Sequence, residues 1–271
     1  MYLKTDKSNI DVSVMYNGDT LYNYLGKTPI DSFLVPNLWN SHQLKLEYNE
    51  LLYYKESSNK HDYFFPDDNL NVPDNHKVFL GRTFNRMWFQ GLEFNKIDIS
   101  PFSMSKYEVS NEQYQKFVDD GGYKNPKYWD FPMSIGGITY DFNSSTKKFV
   151  GKYGKSGPAN WSYGKHPNGL ENHPVTGISW FEARAYANYV GLDIPNVFQW
   201  LYASGAGVSG IYDAKVLSNS NFNSDQMRNV FDQRGSNEEI NNIAGNVKEW
   251  LTNPFGENNI EYSILGGSFL E

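Results

Sequence analysis

The chain of 271 residues is long enough for one large domain, or for a medium domain and a smaller one, with ample length for a buried core. Its formal net charge of −7 argues against nucleic acid and anionic membranes as partners. The absence of Cys removes disulfides, zinc–thiolate sites and cysteine nucleophiles from within the chain, and no run approaches the roughly 18 apolar residues of a membrane span.

Residues 10–55 read as a small antiparallel β unit. In "DVSVMYNGDTLYNYLGKTPI" Val12 and Val14 alternate with polar residues before an "NGD" turn and a Gly-to-Pro turn. "HQLKLEYN" alternates again, with Leu44 and Leu46 on one face. The stretch Tyr54 to His76 mixes charge, Pro and Asn and reads as a linker or long loop. "KIDISPFSMSKYEVS" alternates as a strand. In "SNEQYQKFVDDGGY", Ser110 and Gln113 fit a capping box, and Tyr114, Phe117 and Val118 form a stripe at helical spacing. A second box, Ser179 with Glu182, opens "SWFEARAYANYVG". Trp180, Ala183, Ala187 and Val190 are expected on its apolar face, with Gly191 as its stop. "IPNVFQWLYASGAG" adds a short helix capped by Asn196. With 20 Tyr, 18 Phe and 7 Trp as padding, the pattern predicts a loop-rich α+β body.

Two segments then carry a resemblance: "YEVSNEQYQKFVDDGGY" and "HPVTGISWFEARAYANYVGLDIPNVFQWLYAS", followed by "GNVKEW" and "GGS". In order and spacing they resemble the formylglycine-generating enzyme, or sulfatase-modifying factor, family. "GGYKNPKYW" and "GPANWSYGKHPNGLENHPVTGISW" are most similar to a branch associated with bacterial receptor-like kinases. The resemblance implies an α+β, loop-rich sulfatase-modifying-factor fold related to the C-type lectin scaffold. It also implies that the N-terminal antiparallel unit is a PEGA-like β domain. The organisation expected is therefore a PEGA-like domain over 1–56, a linker over 57–77 and the sulfatase-modifying-factor domain over 78–271.

The same resemblance implies a Ca²⁺ site at "NNIAGNVKEW". Asn242 would give a side-chain oxygen, Gly245 and Val247 backbone carbonyls, and Glu249 a carboxylate. All four are hard oxygen donors of the kind Ca²⁺ takes, and one carboxylate among neutral donors suits a structural ion. The alternative is a turn in which Asn242 and Asn246 bond the backbone while Trp250 fills the core. A second Ca²⁺ site would use Asn221, the carbonyl of Phe222, and Asp232; a polar surface loop is the plainer reading there.

In oxidase members of the family, a copper-binding cysteine pair follows the "GGS" motif. Here that motif is Gly266–Ser268 and no Cys is present, so the catalytic segment is expected to be missing, with no Cu or Zn in this chain. His42, His61, His76, His166 and His173 show no HxxxH or HxE spacing for iron. Tyr128, Trp129, Trp161 and Tyr163 lie in loops where they would stack on a sugar ring or a partner peptide, or seal the loops onto the body; sealing is the preferred reading. The function expected is a non-catalytic binding or scaffold module, Ca²⁺-stabilised, with a protein or glycan ligand. The alternative is a fragment of a copper- or iron-dependent oxidoreductase. No signal peptide is visible, and family analogy favours an extracytoplasmic location.

Overall fold

The structure is a computed structural model. It describes residues 3–5, 7–16, 21–30, 42–48, 51–56, 61–64, 72–89, 92–130, 133–135, 137–206, 216–217, 220–232, 240–255 and 261–271. The chain divides into two compact units, Met1–Met104 and Ser105–Glu271. No described helix is long and apolar enough to cross a membrane.

The first unit is built of strands: β1 (Leu3–Thr5), β2 (Asp11–Tyr16), β3 (Asn23–Lys27), β4 (His42–Tyr48), β5 (Leu51–Glu56), β6 (His61–Phe64), β7 (His76–Phe79), β8 (Gly81–Phe89), β9 (Leu92–Ile99) and β10 (Phe102–Ser105). One sheet runs β3-β2-β4-β5, all antiparallel. Val12 lies opposite Leu46 and Val14 opposite Leu44, as the alternation predicts. These four, with Ile10 and Leu80, form a buried cluster. A one-residue slip would turn the whole apolar set to the wrong face, so burial fixes the register. The "NGD" turn lies outside the described residues.

A second sheet, β1-β6-β8-β9, runs across the expected 1–56 and 57–77 segments. The stretch read as a linker over 57–77 contains strand β6, which pairs parallel to β1 and antiparallel to β8. Because the N-terminal β1 belongs to this later sheet, the compact unit runs to Met104 and does not stop at residue 56. A four-residue strand has too little periodicity to be read locally, and its partners are remote in sequence.

The second unit holds α1 (Asn111–Asp119), a hairpin of β11 (Met133–Ile135) and β12 (Ile138–Tyr140), α2 (Phe142–Thr146), α3 (Trp180–Val190), α4 (Val197–Ser204), and a bulged hairpin of β13 (Glu249–Phe255) and β14 (Glu261–Leu265). Helices α1, α3 and α4 each begin with a reciprocal capping box, at Ser110–Gln113, Ser179–Glu182 and Asn196–Gln199. Each box satisfies backbone donors that a helix start leaves open.

The core of this unit is a mesh of rings. Tyr114, Phe117, Tyr123, Trp129, Phe149 and Trp161 are buried together, against Met133, Val175 and Ala185. Trp129 stacks on Phe149 at 5.4 Å, and Tyr114 meets Trp161 edge-on at 6.0 Å. Both indoles find acceptors inside: Trp129 Nε1 donates to the Gly122 carbonyl at 2.9 Å and Trp161 Nε1 to Asn111 Oδ1 at 3.3 Å. Trp129 and Trp161 are therefore core residues that seal their loops onto the body and present no face to a ligand. Long loops bring too few aliphatic groups to close a core, and large rings fill the space.

Helix α3 also departs from its predicted face. It buries Glu182, Ala185 and Ala187 and leaves Val190 exposed. Hydrophobicity patterning misses this because it counts Glu182 as an outward residue. In the fold, Glu182 Oε2 accepts from the Ser179 backbone N–H and from Ser179 Oγ, each at 2.8 Å, and Oε1 accepts from the Tyr123 hydroxyl at 2.6 Å. Burial raises its pKa above the ordinary glutamate value.

Truncating this carboxylate removes the acceptor of the Ser179 backbone N–H and leaves the buried Tyr123 hydroxyl with only the Tyr114 hydroxyl among the described contacts. Glu182→Ala is expected to destabilise the second unit by about 2–3 kcal/mol. Trp161→Ala, which empties the centre of the ring mesh, should cost about 3–5 kcal/mol. Urea unfolding of each variant against the parent measures both losses.

Candidate functional site

The segment Asn241–Trp250 turns sharply on itself. Asn242, Gly245 and Asn246 have φ of 53°, 87° and 59°, a left-handed region open to Gly and tolerated by Asn. At Gly245 the conformation is combined with close approach: a β-carbon there would stand 2.6 Å from the Asn221 carbonyl oxygen. The turn is thereby pressed against the Asn221 backbone, and the Asn246 N–H donates to the Asn221 carbonyl at 2.8 Å. On its other side, the Gly245 N–H donates to the Gly266 carbonyl at 2.6 Å.

Asn246 is fully buried and employs all of its polar atoms. Its Oδ1 accepts from Asn221 Nδ2 at 3.0 Å and from the Arg228 N–H at 2.8 Å. Its Nδ2 donates to Glu108 Oε2 at 2.9 Å and to the Arg228 carbonyl at 3.4 Å. Its own carbonyl accepts from the Phe269 N–H at 3.0 Å. Asn242 Nδ2 adds a second amide donor to Glu108 at 3.2 Å, and the Val247 N–H adds a backbone one.

Two carboxyl groups thus end deep in this region. Burial, and then the charge of Glu249, holds Glu108 well above the usual carboxylate range, against the pull of its amide donors. Burial pushes Glu249 up to about 7, partly offset by the Trp200 indole, whose Nε1 donates to Oε2 at 2.5 Å. The donors described for both carboxylates are neutral, so neither negative charge is matched by a cation in these contacts.

The oxygens converge at Gly266, whose φ is 99°. A β-carbon on this residue would stand 3.4 Å from the Ile243 carbonyl oxygen, 3.5 Å from the Val247 carbonyl oxygen and 3.9 Å from Glu249 Oε2. Two of the four predicted Ca²⁺ ligands, Val247 and Glu249, are brought together here, with the Ile243 carbonyl, which sequence reasoning did not name. Asn242 borders the cluster through Glu108, to which its Nδ2 donates. For Gly245, the contact described is its N–H bond to Gly266. Glu108 and Trp200 were also missed as contributors. The only sequence signal for Glu108 is its place in "YEVSNEQY".

Among the described residues, no three His, Cys, Asp or Glu side chains gather as a metal centre. An ion here would rely on carbonyl and amide oxygens with one carboxylate. That donor set fits Ca²⁺ and is too hard for copper or zinc. The second predicted site is not assembled in the same way. Asn221 is buried and Asp232 exposed, and the contacts of Asn221 go to Gln226, Gly245 and Asn246. Asp232 joins none of these described contacts, and Asn221 Oδ1 is a buried acceptor without a hydrogen bond. Of the four loop aromatics, Tyr128 is half-buried against Phe117 and Tyr189, and Tyr163 alone is exposed.

The sulfatase-modifying factor enzyme 1-like domain matches residues 79–271. Among similar proteins, formylglycine-generating enzyme of Bos taurus is 29% identical over 42% of this chain and 33% of its own length. The serine/threonine-protein kinase pkn1 of Chlamydia caviae is 24% identical over 62% of this chain and 25% of its own. Hercynine oxygenase of Mycolicibacterium thermoresistibile is 26% identical over 38% of this chain and 22% of its own. The chain thus spans a third or less of the length of these relatives. With most of its residues covered by the family match, it belongs to the sulfatase-modifying factor enzyme 1-like domain family.

Proposed function

We propose that the chain is a non-catalytic binding or scaffold module whose Asn242–Glu249 turn is held by Ca²⁺ and whose ligand is a protein or a glycan. The observation that carries this reading is the character of the Glu108–Asn246–Glu249 cluster. Its members are amides, carbonyls and carboxylates, locked to one another and to the backbone, and the cluster holds no thiol, imidazole or redox group. Ca²⁺ would be held by the Ile243 and Val247 carbonyls, Glu249 and Asn242 Oδ1, and it would neutralise charge that burial leaves uncompensated. The match to a limited part of a kinase supports a module that serves within longer proteins. An extracytoplasmic setting, where Ca²⁺ is abundant, goes with this proposal.

A second reading draws on two relatives named as enzymes, formylglycine-generating enzyme and hercynine oxygenase. In it, the chain is part of a copper- or iron-dependent oxidoreductase whose reactive residues lie beyond Glu271. Sequencing the parent reading frame separates the two: a Cys pair shortly after "GGSFLE" favours the enzyme.

The Ca²⁺ proposal is tested by thermal melts. With Ca²⁺ at about 100 times its Kd, EDTA should lower the melting temperature of the second unit by roughly 5–10 °C. Glu249→Gln should abolish the difference between the two conditions. Equal melts of the wild type with Ca²⁺ and with EDTA would sink the proposal.

Protons and the ion compete for Glu249. In chelated protein the raised folded pKa means that its stabilising contribution is complete below pH 4.5 and is lost as pH rises through about 7. Ca²⁺ requires the carboxylate form and reverses that trend. The Ca²⁺-dependent rise in melting temperature should therefore be larger at pH 8 than at pH 6, and in Glu249→Gln it should be absent at both.

A further inference from the structure

Charge along the second unit is unevenly placed. Between Asp141 and Glu171 there is no Asp or Glu, yet the stretch carries Lys147, Lys148, Lys152, Lys155 and Lys165 in a chain of net charge −7. In the middle of it, Tyr153 and Tyr163 are 70% and 66% exposed and stack on each other, centroids 4.4 Å apart and planes 8° from parallel. Both have left-handed backbones, with φ of 65° and 56°, unusual for an aromatic residue. The loops that hold them are tied together: the Lys152 N–H donates to the Trp161 carbonyl at 2.7 Å and the Tyr163 N–H to the Lys152 carbonyl at 3.4 Å. Trp161 beneath them is fully buried, so the exposed rings stand on an anchored base.

Lys152 and Lys155 flank Tyr153 and are exposed, and neither forms an ion pair among the described residues. Lys165, two residues from Tyr163, is held by Asp119 at 2.9 Å. The result is a flat aromatic face with cations on its edge, at some backbone cost and with no ring partner for its outer surface among the described residues.

We propose that the Tyr153–Tyr163 stack with Lys152 and Lys155 is a binding platform for an anionic polysaccharide, the ring faces taking pyranose C–H faces and the lysines taking carboxylate or sulfate groups. This deepens the binding-module reading and rests on it. A protein interface of standard size needs about 800 Å² per partner around an apolar centre. Here the two tyrosines are the only large exposed apolar side chains between residues 142 and 170, set among Gly, Ser and Lys. Single-stranded nucleic acid would also meet rings and lysines, but it carries a denser negative charge into the field of an acidic chain.

The test is calorimetric titration of the full chain with polygalacturonate and with heparin, beside neutral dextran, poly-glutamate and oligo-dT. Binding to polygalacturonate, heparin or both is expected, the pattern distinguishing carboxylate from sulfate recognition. Dextran should not bind. Tyr153→Asn and Tyr163→Asn remove a ring while supplying a residue suited to the left-handed backbone. Each should bind roughly tenfold more weakly, with a melting temperature no lower than the parent's. Lys152→Gln with Lys155→Gln should weaken binding and flatten its salt dependence. Failure of both polysaccharides to bind overturns the proposal, as does stronger binding of poly-glutamate or oligo-dT. Polysaccharide binding unchanged in both Asn variants overturns this site alone and leaves the binding-module reading in place.

Discussion

The second unit depends on what Asn246 does inside it. One buried residue links the Asn221 side chain, the Arg228 backbone, the Glu108 carboxylate and, through its main chain, Phe269. A domain with little helix or sheet cannot satisfy its buried backbone groups by repetition. It must do so one contact at a time, across long sequence separations. An amide with two donors and an acceptor that takes two bonds is well suited to that task. The left-handed backbone at this residue is the local cost of aiming every atom at once.

The same requirement explains the treatment of carboxylates. Glu182 is buried because a helix cap and a tyrosine hydroxyl meet it, and it serves as a structural tie between α3 and the ring core. Glu108 and Glu249 are met by neutral donors, and burial raises the pKa of both. Equivalent residue types thus occupy different electrostatic situations. All three are met by neutral protein donors and raised by burial; Glu108 differs in feeling the charge of a second carboxylate, Glu249, whose Oε2 lies with carbonyl oxygens around Gly266.

Two kinds of aromatic residue are likewise distinguished by context. Trp129 and Trp161 lie in segments full of Gly, Pro and Asn, which reads as surface, yet their indoles find buried acceptors and they fill the core. Tyr153 and Tyr163 occupy similar local sequence and stand in solvent. Local composition cannot tell these cases apart, because burial depends on where the loop returns to the body.

The sequence by itself determined the parts that depend on neighbours within a few residues. The three helix starts follow from Ser110, Ser179 and Asn196 with their partners three positions on, and β2 and β4 follow from the alternation of Val12, Val14, Leu44 and Leu46. The motif order also disclosed the family, since "HPVTGISW", "GNVKEW" and "GGS" keep their spacing. Only the tertiary structure decided which face of α3 is buried, that β6 joins β1 and β8, and that Glu108 reaches Asn246 across 138 residues. It also decided that Gly266 sets the space in which the Ile243, Val247 and Glu249 oxygens meet. The physical reason is range: capping and alternation act over one turn or one strand, whereas desolvation and hydrogen-bond closure depend on groups that only the completed fold brings within 3 Å or so.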